Sequence, residues 1–162
     1  MHHWCTVTAD TFGVDQELRH MWRVRMPQQG YTDHVVMHGV LALAALHKAY
    51  LYPNQADLYL DISAHHSLRG SEGFRALLGN ITNENWRSIF YFAITLVAYT
   101  LCLPIRSPKG KLQTPIQSML ELLGTFSGLK ASTQSYLPAH RPIELYALAW
   151  GMEEAIINAK EE

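Results

Sequence analysis

The chain has 162 residues, of which 48% are hydrophobic and 17% charged, and its formal net charge is −1. That length bounds the reading at one domain, able to bury roughly two-thirds of the surface of its unfolded chain. The 13 basic residues are scattered among 14 acidic ones, which argues against direct binding of nucleic acid, because phosphates demand concentrated Lys and Arg.

The charged share is low against the roughly 25% of ordinary soluble domains, so surface that is buried or faces a partner is expected. Cys5 and Cys102 are the only cysteines. Two distant thiols form no disulfide framework and fit a reducing compartment. The opening Met1-His2-His3-Trp4 has neither a basic n-region nor an apolar h-region, so no secretory signal and an intracellular location are expected.

Helical periodicity runs through most of the chain, without strand alternation. A short first segment, Met1 to Thr11, ends near Gly13. Asp15 is placed to cap a second helix whose apolar side is Leu18, Met21, Trp22 and Val24, with Pro27 expected to stop it. Gly30 and the Thr32-Asp33 pair then predict a loop and a new N-cap. The third helix, Asp33 to Tyr52, is apolar around much of its circumference, as a central helix is.

Pro53 ends that helix, and Asn54 is expected to start a fourth, reaching Leu78. Leu58, Ile62, His65, Leu68 and Glu72 follow its helical spacing, and Gly79 is a natural residue to follow its end. Gly70 and Gly73 weaken it, each by about 1 kcal/mol relative to Ala. Asn83 is expected to open a fifth helix, closed by Pro104. Its run from Ile89 to Leu103 has fifteen uncharged residues, short of the roughly 20 that span a bilayer, so a buried helix and no membrane are expected.

The segment 104–114 reads as a loop, with breakers and basic residues from Arg106 to Thr114. A sixth helix, Pro115 to Phe126, and a last one, Pro142 to Ala159, complete the expectation. The fold class is all-α, one domain over 1–162 built as an array of six to seven helices.

The phrase HVVMHGVLALAALHKAYLYP (His34 to Pro53) resembles the motif at the heart of the fungal-specific transcription factor domain of zinc-cluster regulators. Within that family it looks like the sterol uptake control branch. Further likeness lies in HHWCTVTADTF (His2 to Phe12), in Trp22 to Pro27 and in LYLDISAHHSLRGSEGFRALLGNI (Leu58 to Ile81). Asn85 and IFYFA (Ile89 to Ala93) continue it, so that residues 1–103 carry these motifs in order. Two departures stand out: Thr125-Phe126-Ser127-Gly128 lacks the family's Arg-Gly pair, and two cysteines cannot build its six-cysteine zinc cluster. The expectation is therefore the front part of the family's regulatory domain, truncated and without its own DNA-binding module.

The resemblance implies a non-enzymatic, nuclear, transcription-regulating module that senses a hydrophobic small molecule, such as a sterol or other apolar metabolite. It also implies association with a second copy or another protein. Trp86, Phe90 and Tyr99 are the candidates to line an apolar ligand cavity, against the plainer role of packed core.

Chemistry-bearing residues offer less. His34 and His38, at i and i+4, share a helix face suited to a metal ion, but no third ligand is assigned, and neither a metal nor a cofactor is expected. His65 and His66 are adjacent and cannot share a face. Cys102 sits in an apolar run, as a buried small hydrophobe would; Cys5 beside His2 and His3 is a candidate reactive thiol only if exposed. The alternative to a regulator is a small enzyme, an isomerase, cyclase or dehydratase acting on a hydrophobic metabolite. His38, His65, Tyr59 and Tyr99 are its candidate catalytic residues, with a histidine as acid or base.

Overall fold

A computed structural model describes residues 1–12 and 16–102, and these residues are all-α, with no strand among them. Asp15, the loop 104–114, the glycine at 128 and both carboxy-terminal helices of the sequence reading lie outside the described residues. A π-helical turn (Trp4–Thr8) and a 3₁₀ turn (Ala9–Thr11) come first. α1 (Gln16–His20), a second π-helical turn (Met21–Arg25) and α2 (Met26–Thr32) follow one another without a break. Then come α3 (His34–Leu51), a 3₁₀ turn (Pro53–Gln55), α4 (Ala56–Leu78) and α5 (Trp86–Cys102).

Pro27 does not stop the second helix, and the reason is local. Across the π-helical turn the Met26 amide donates five residues back, to the Met21 carbonyl. By that pattern the Trp22 carbonyl should receive the amide of residue 27, and proline has none. The Trp4 indole N–H supplies the missing bond, donating to the Trp22 carbonyl at 2.9 Å. Trp4 and Trp22 are both buried, and Phe12 stacks on Trp22 with ring centroids 4.9 Å apart. The proline is thus kept inside a helical rod by an aromatic side chain from the start of the chain. Gly30 is not in a loop either: it is buried within α2, where an added Cβ would lie 3.4 Å from the Met37 backbone of α3.

Asp33 is the N-cap of α3: its carboxylate accepts the Val35 amide at 2.8 Å, with extended backbone at φ −132° and ψ 117°. Ten of the 18 residues of α3 are buried, and α2, α4 and α5 all pack against it. Its length and apolarity pass the test for a membrane-crossing helix, as the core helix of a folded domain also does. α3 is the axis of the domain.

α4 presents a different face from the one its large apolar residues suggest. Leu58, Ile62, His65, Leu68 and Glu72 are exposed, whereas Ser63, Gly70 and Phe74 are buried. Close approach explains the inversion: the Ser63 hydroxyl donates to the Ala42 carbonyl of α3 at 2.8 Å, which a bulky side chain would prevent. Gly79 ends α4 in right-handed geometry, φ −66°, and is not a left-handed cap. α5 is opened by Thr82 rather than Asn83. The Thr82 amide donates to Asn85 Oδ1 at 2.8 Å, and the Asn85 amide donates to Thr82 Oγ1 at 3.3 Å, a reciprocal cap of capping-box type.

Two apolar clusters result. Trp4, Met21, Trp22, Met26, Val36, Val40, Leu43, Ile94 and Tyr99 form the larger one, between the amino-terminal turns, α3 and α5. Val35, Phe74, Ile89, Phe92 and Ala93 form the smaller one, toward α4. Each fully buried Val, Leu, Ile or Phe is worth about 1.5–3 kcal/mol relative to exposure.

Candidate functional site

A cavity of about 670 Å³ with the shape of a ligand site lies between the amino-terminal turns, the end of α3, the start of α4 and the end of α5. That volume falls within the roughly 300–1,000 Å³ of small-molecule pockets. Successive turns of α3 contribute Leu43, Leu46 and Ala49, and α4 contributes Ala56 and Leu60. Phe12 and Pro53 extend the apolar wall. Pro53 ends α3 and begins the 3₁₀ turn, which sends α4 back along α3 and encloses the space between their ends.

Five polar side chains and a thiol interrupt this wall: Thr8, Thr11, His47, Tyr50, Asp57 and Cys102. His47 Nδ1 and the Thr8 hydroxyl form a 3.1 Å hydrogen bond that ties α3 to the first turn. The bond occupies one ring nitrogen and leaves Nε2 as the remaining hydrogen-bonding position of the imidazole. Burial lowers the pKa of His47 below the ordinary histidine value, so the ring is neutral at pH 7 and offers a dipole rather than a charge. Cys102 is half-buried in the cavity wall, less deep than a core position, and burial raises its pKa. The thiol therefore stays protonated and is a weak nucleophile.

The arrangement suits a mostly hydrocarbon ligand with one hydroxyl or carbonyl group. For such a ligand the apolar surface would supply the affinity, and His47 and Tyr50 an orienting contact. Sequence reasoning missed His47 because it lies inside the apolar phrase of α3. The one signal was its spacing, at i+4 from Leu43, which places it on the same stripe.

The residues singled out from sequence fall elsewhere. Trp86 and Tyr99 are buried in the packed interior and Phe90 packs against the larger apolar cluster; none of the three lines the cavity. His38 Nδ1 lies 2.8 Å from Nδ1 of His66, joining α3 to α4. His65 is exposed, its ring edge-on to His66 at 5.5 Å. Tyr59 stacks obliquely on Tyr52 at 6.2 Å, with Lys48 Nζ 4.7 Å over its ring. The structure thus does not bring His38, His65, Tyr59 and Tyr99 together. His34 is exposed, and its neighbour on the helix face is engaged with His66. Among the described residues no group of three or more His, Cys, Asp or Glu is placed to hold a metal ion. Cys5 is half-buried against the larger apolar cluster.

Comparisons with models of known families, with curated proteins and with solved structures find no match to this chain.

Proposed function

We propose that this chain is a ligand-sensing regulatory module that binds an apolar small molecule in the cavity between α3, α4 and the amino-terminal turns. The observation that carries the reading is the cavity itself, walled by Phe12, Leu43, Leu46, Ala49 and Leu60 and bearing a neutral imidazole in its lining. A ligand burying about 300 Å² of apolar surface there gains about 7 kcal/mol before the costs of immobilisation, and with part of that lost the binding falls in the submillimolar to millimolar range.

The resemblance to the fungal zinc-cluster regulators supports the regulatory role. It extends the proposal to action in the nucleus through protein contacts, including pairing with a second copy of the chain. Light scattering on the purified full chain tests that pairing: a dimer is expected, and a monodisperse monomer at micromolar concentration contradicts it. A fluorescent sterol such as dehydroergosterol tests the cavity. Saturable emission enhancement is expected for the parent chain and its loss for Leu46→Trp, which fills the space; equal enhancement in both removes the cavity from the account.

A second reading rests on one observation: His47, Tyr50 and Asp57 line the same cavity, as acid–base groups of an isomerase or dehydratase would. His47 is hydrogen-bonded to Thr8 rather than to a carboxylate, which favours binding over turnover. Recovering the bound molecule chemically unchanged after prolonged incubation supports the regulator, and its conversion supports the enzyme.

A further inference from the structure

We propose that the cleft between the amino-terminal turn, α3 and α4 is a second binding site, for a small carboxylate with an apolar body, held by Lys48 and His3. This site does not depend on the apolar cavity: the two lie on different faces of α3, which turns Leu43, Leu46 and Ala49 to the cavity and Leu41, Ala44, Ala45 and Lys48 to the cleft.

The cleft holds about 620 Å³, and Leu41, Ala44, Ala45 and Ile62 give it an apolar floor. Its polar rim carries the positive charge of Lys48 and no carboxylate among its described residues. His2, His3 and His66 also belong to it. Lys48 Nζ is positioned by the Tyr59 ring, 4.7 Å from the centroid, and has no carboxylate partner among the described residues. A lysine that rests on an aromatic face has lost part of its rotamer freedom before any anion arrives, so less is lost on binding one.

His3 supplies the second observation. Its Nε2 is buried without a hydrogen-bond partner, and such a position carries a desolvation penalty that a ligand atom relieves once the ring turns Nε2 toward the cleft. The ring lies beside that of His47, centroids 5.4 Å apart, and the positive charge of Lys48 acts on it. A neutral imidazole with its proton on Nε2 donates there, and a carboxylate accepts from Lys48 and His3 together. Tyr52 and Tyr59 offer aromatic surface to the ligand's apolar body. Inorganic phosphate would satisfy Lys48 and leave that surface uncovered.

Calorimetric titration of the full chain at pH 7, in a buffer free of organic anions, tests the assignment. The probes are benzoate, its neutral counterpart benzamide, and inorganic phosphate. Benzoate is expected to bind saturably, and about tenfold or more tighter than benzamide, as a charge-assisted hydrogen bond implies. It is also expected to bind more tightly than phosphate. Lys48→Met and His3→Phe should each weaken benzoate by about tenfold, with circular dichroism verifying the fold. Glu84→Gln, in the exposed turn before α5, should leave the affinity unchanged. Benzamide equal to benzoate, phosphate equal to or tighter than benzoate, no saturable benzoate binding, or full affinity in a folded Lys48→Met chain would each overturn the proposal.

Discussion

Gly70→Ala separates the structural account from a reading of helix propensity. By propensity alone the substitution stabilises an internal helical position by about 0.8–1 kcal/mol. The packing predicts the opposite. An added Cβ would overlap Cε2 of Phe92, lie 2.8 Å from its Cζ, and approach His38 Cβ at 3.2 Å. Phe92 is 1% exposed and its ring already packs on Phe74 at 5.2 Å, so it has no open space to enter. Forcing a methyl into such a contact costs about 1–3 kcal/mol, and with two short contacts the upper half of that range applies. The net expectation is a loss of about 1–2 kcal/mol, or a fall of about 2–8 °C in Tm for a chain of this length. Gly79→Ala is the control: at φ −66° it meets only the Ala76 carbonyl at 3.4 Å, so a neutral or slightly stabilising effect is expected. Urea unfolding, with midpoints compared at constant slope, measures both. In a Phe92→Leu background the loss from Gly70→Ala should shrink, as coupling between touching residues requires. A Gly70→Ala chain more stable than its parent would refute the packing of α4 on α3 and α5.

Two further stability predictions follow from the polar contacts. Trp4→Phe keeps an aromatic ring against Trp22 but removes the donor to the Trp22 carbonyl; a buried carbonyl left unpaired costs about 1–3 kcal/mol, readable in the same urea titration, and an unchanged midpoint counts against the proline-bridging role. His3, His38, His47 and His66 all have pKa values lowered, first by burial, and the surroundings of the His38–His66 pair add only positive charge, from His34, His65, Arg69 and the amino terminus. The unfolded chain takes up protons at about pH 6.5, the folded chain only lower. Stability is therefore complete above about pH 6.5 and falls as the pH drops below it through the folded values. A lower urea midpoint at pH 5.5 than at pH 7.5 is expected, with a smaller drop in His66→Phe; an equal or higher midpoint at pH 5.5 would contradict the burial of these rings.

How far the sequence reveals this structure depends on which physical signal each feature leaves. α3 and α5 are legible because long apolar runs with few charges must be covered by neighbours. The Asp33 cap is legible because a short polar side chain before an apolar run has one common use. The continuation past Pro27 is not, because the partner that replaces the missing amide, Trp4, lies 18 residues away along the chain. The buried face of α4 is misread for a related reason. Apolar size marks Leu58, Ile62 and Leu68, whereas the close approach to α3 selects Ser63 and Gly70, which carry no hydrophobic signal. The cavity and the cleft are spaces between elements, and a pattern along one element does not report them. Tyr59 was reached from sequence, and it sits at the cleft; His47, Lys48 and His3 were not reached as a site, since their juxtaposition arises only when the first turn folds over α3.

The central claim is occupancy of the cavity by an apolar molecule, and native mass spectrometry of the full chain purified from its own host tests it most directly. The account predicts a mass increment from one bound hydrophobic small molecule in the parent chain and none in a folded Leu46→Trp chain. A parent chain that flies bare, or an increment that persists in Leu46→Trp, would contradict it.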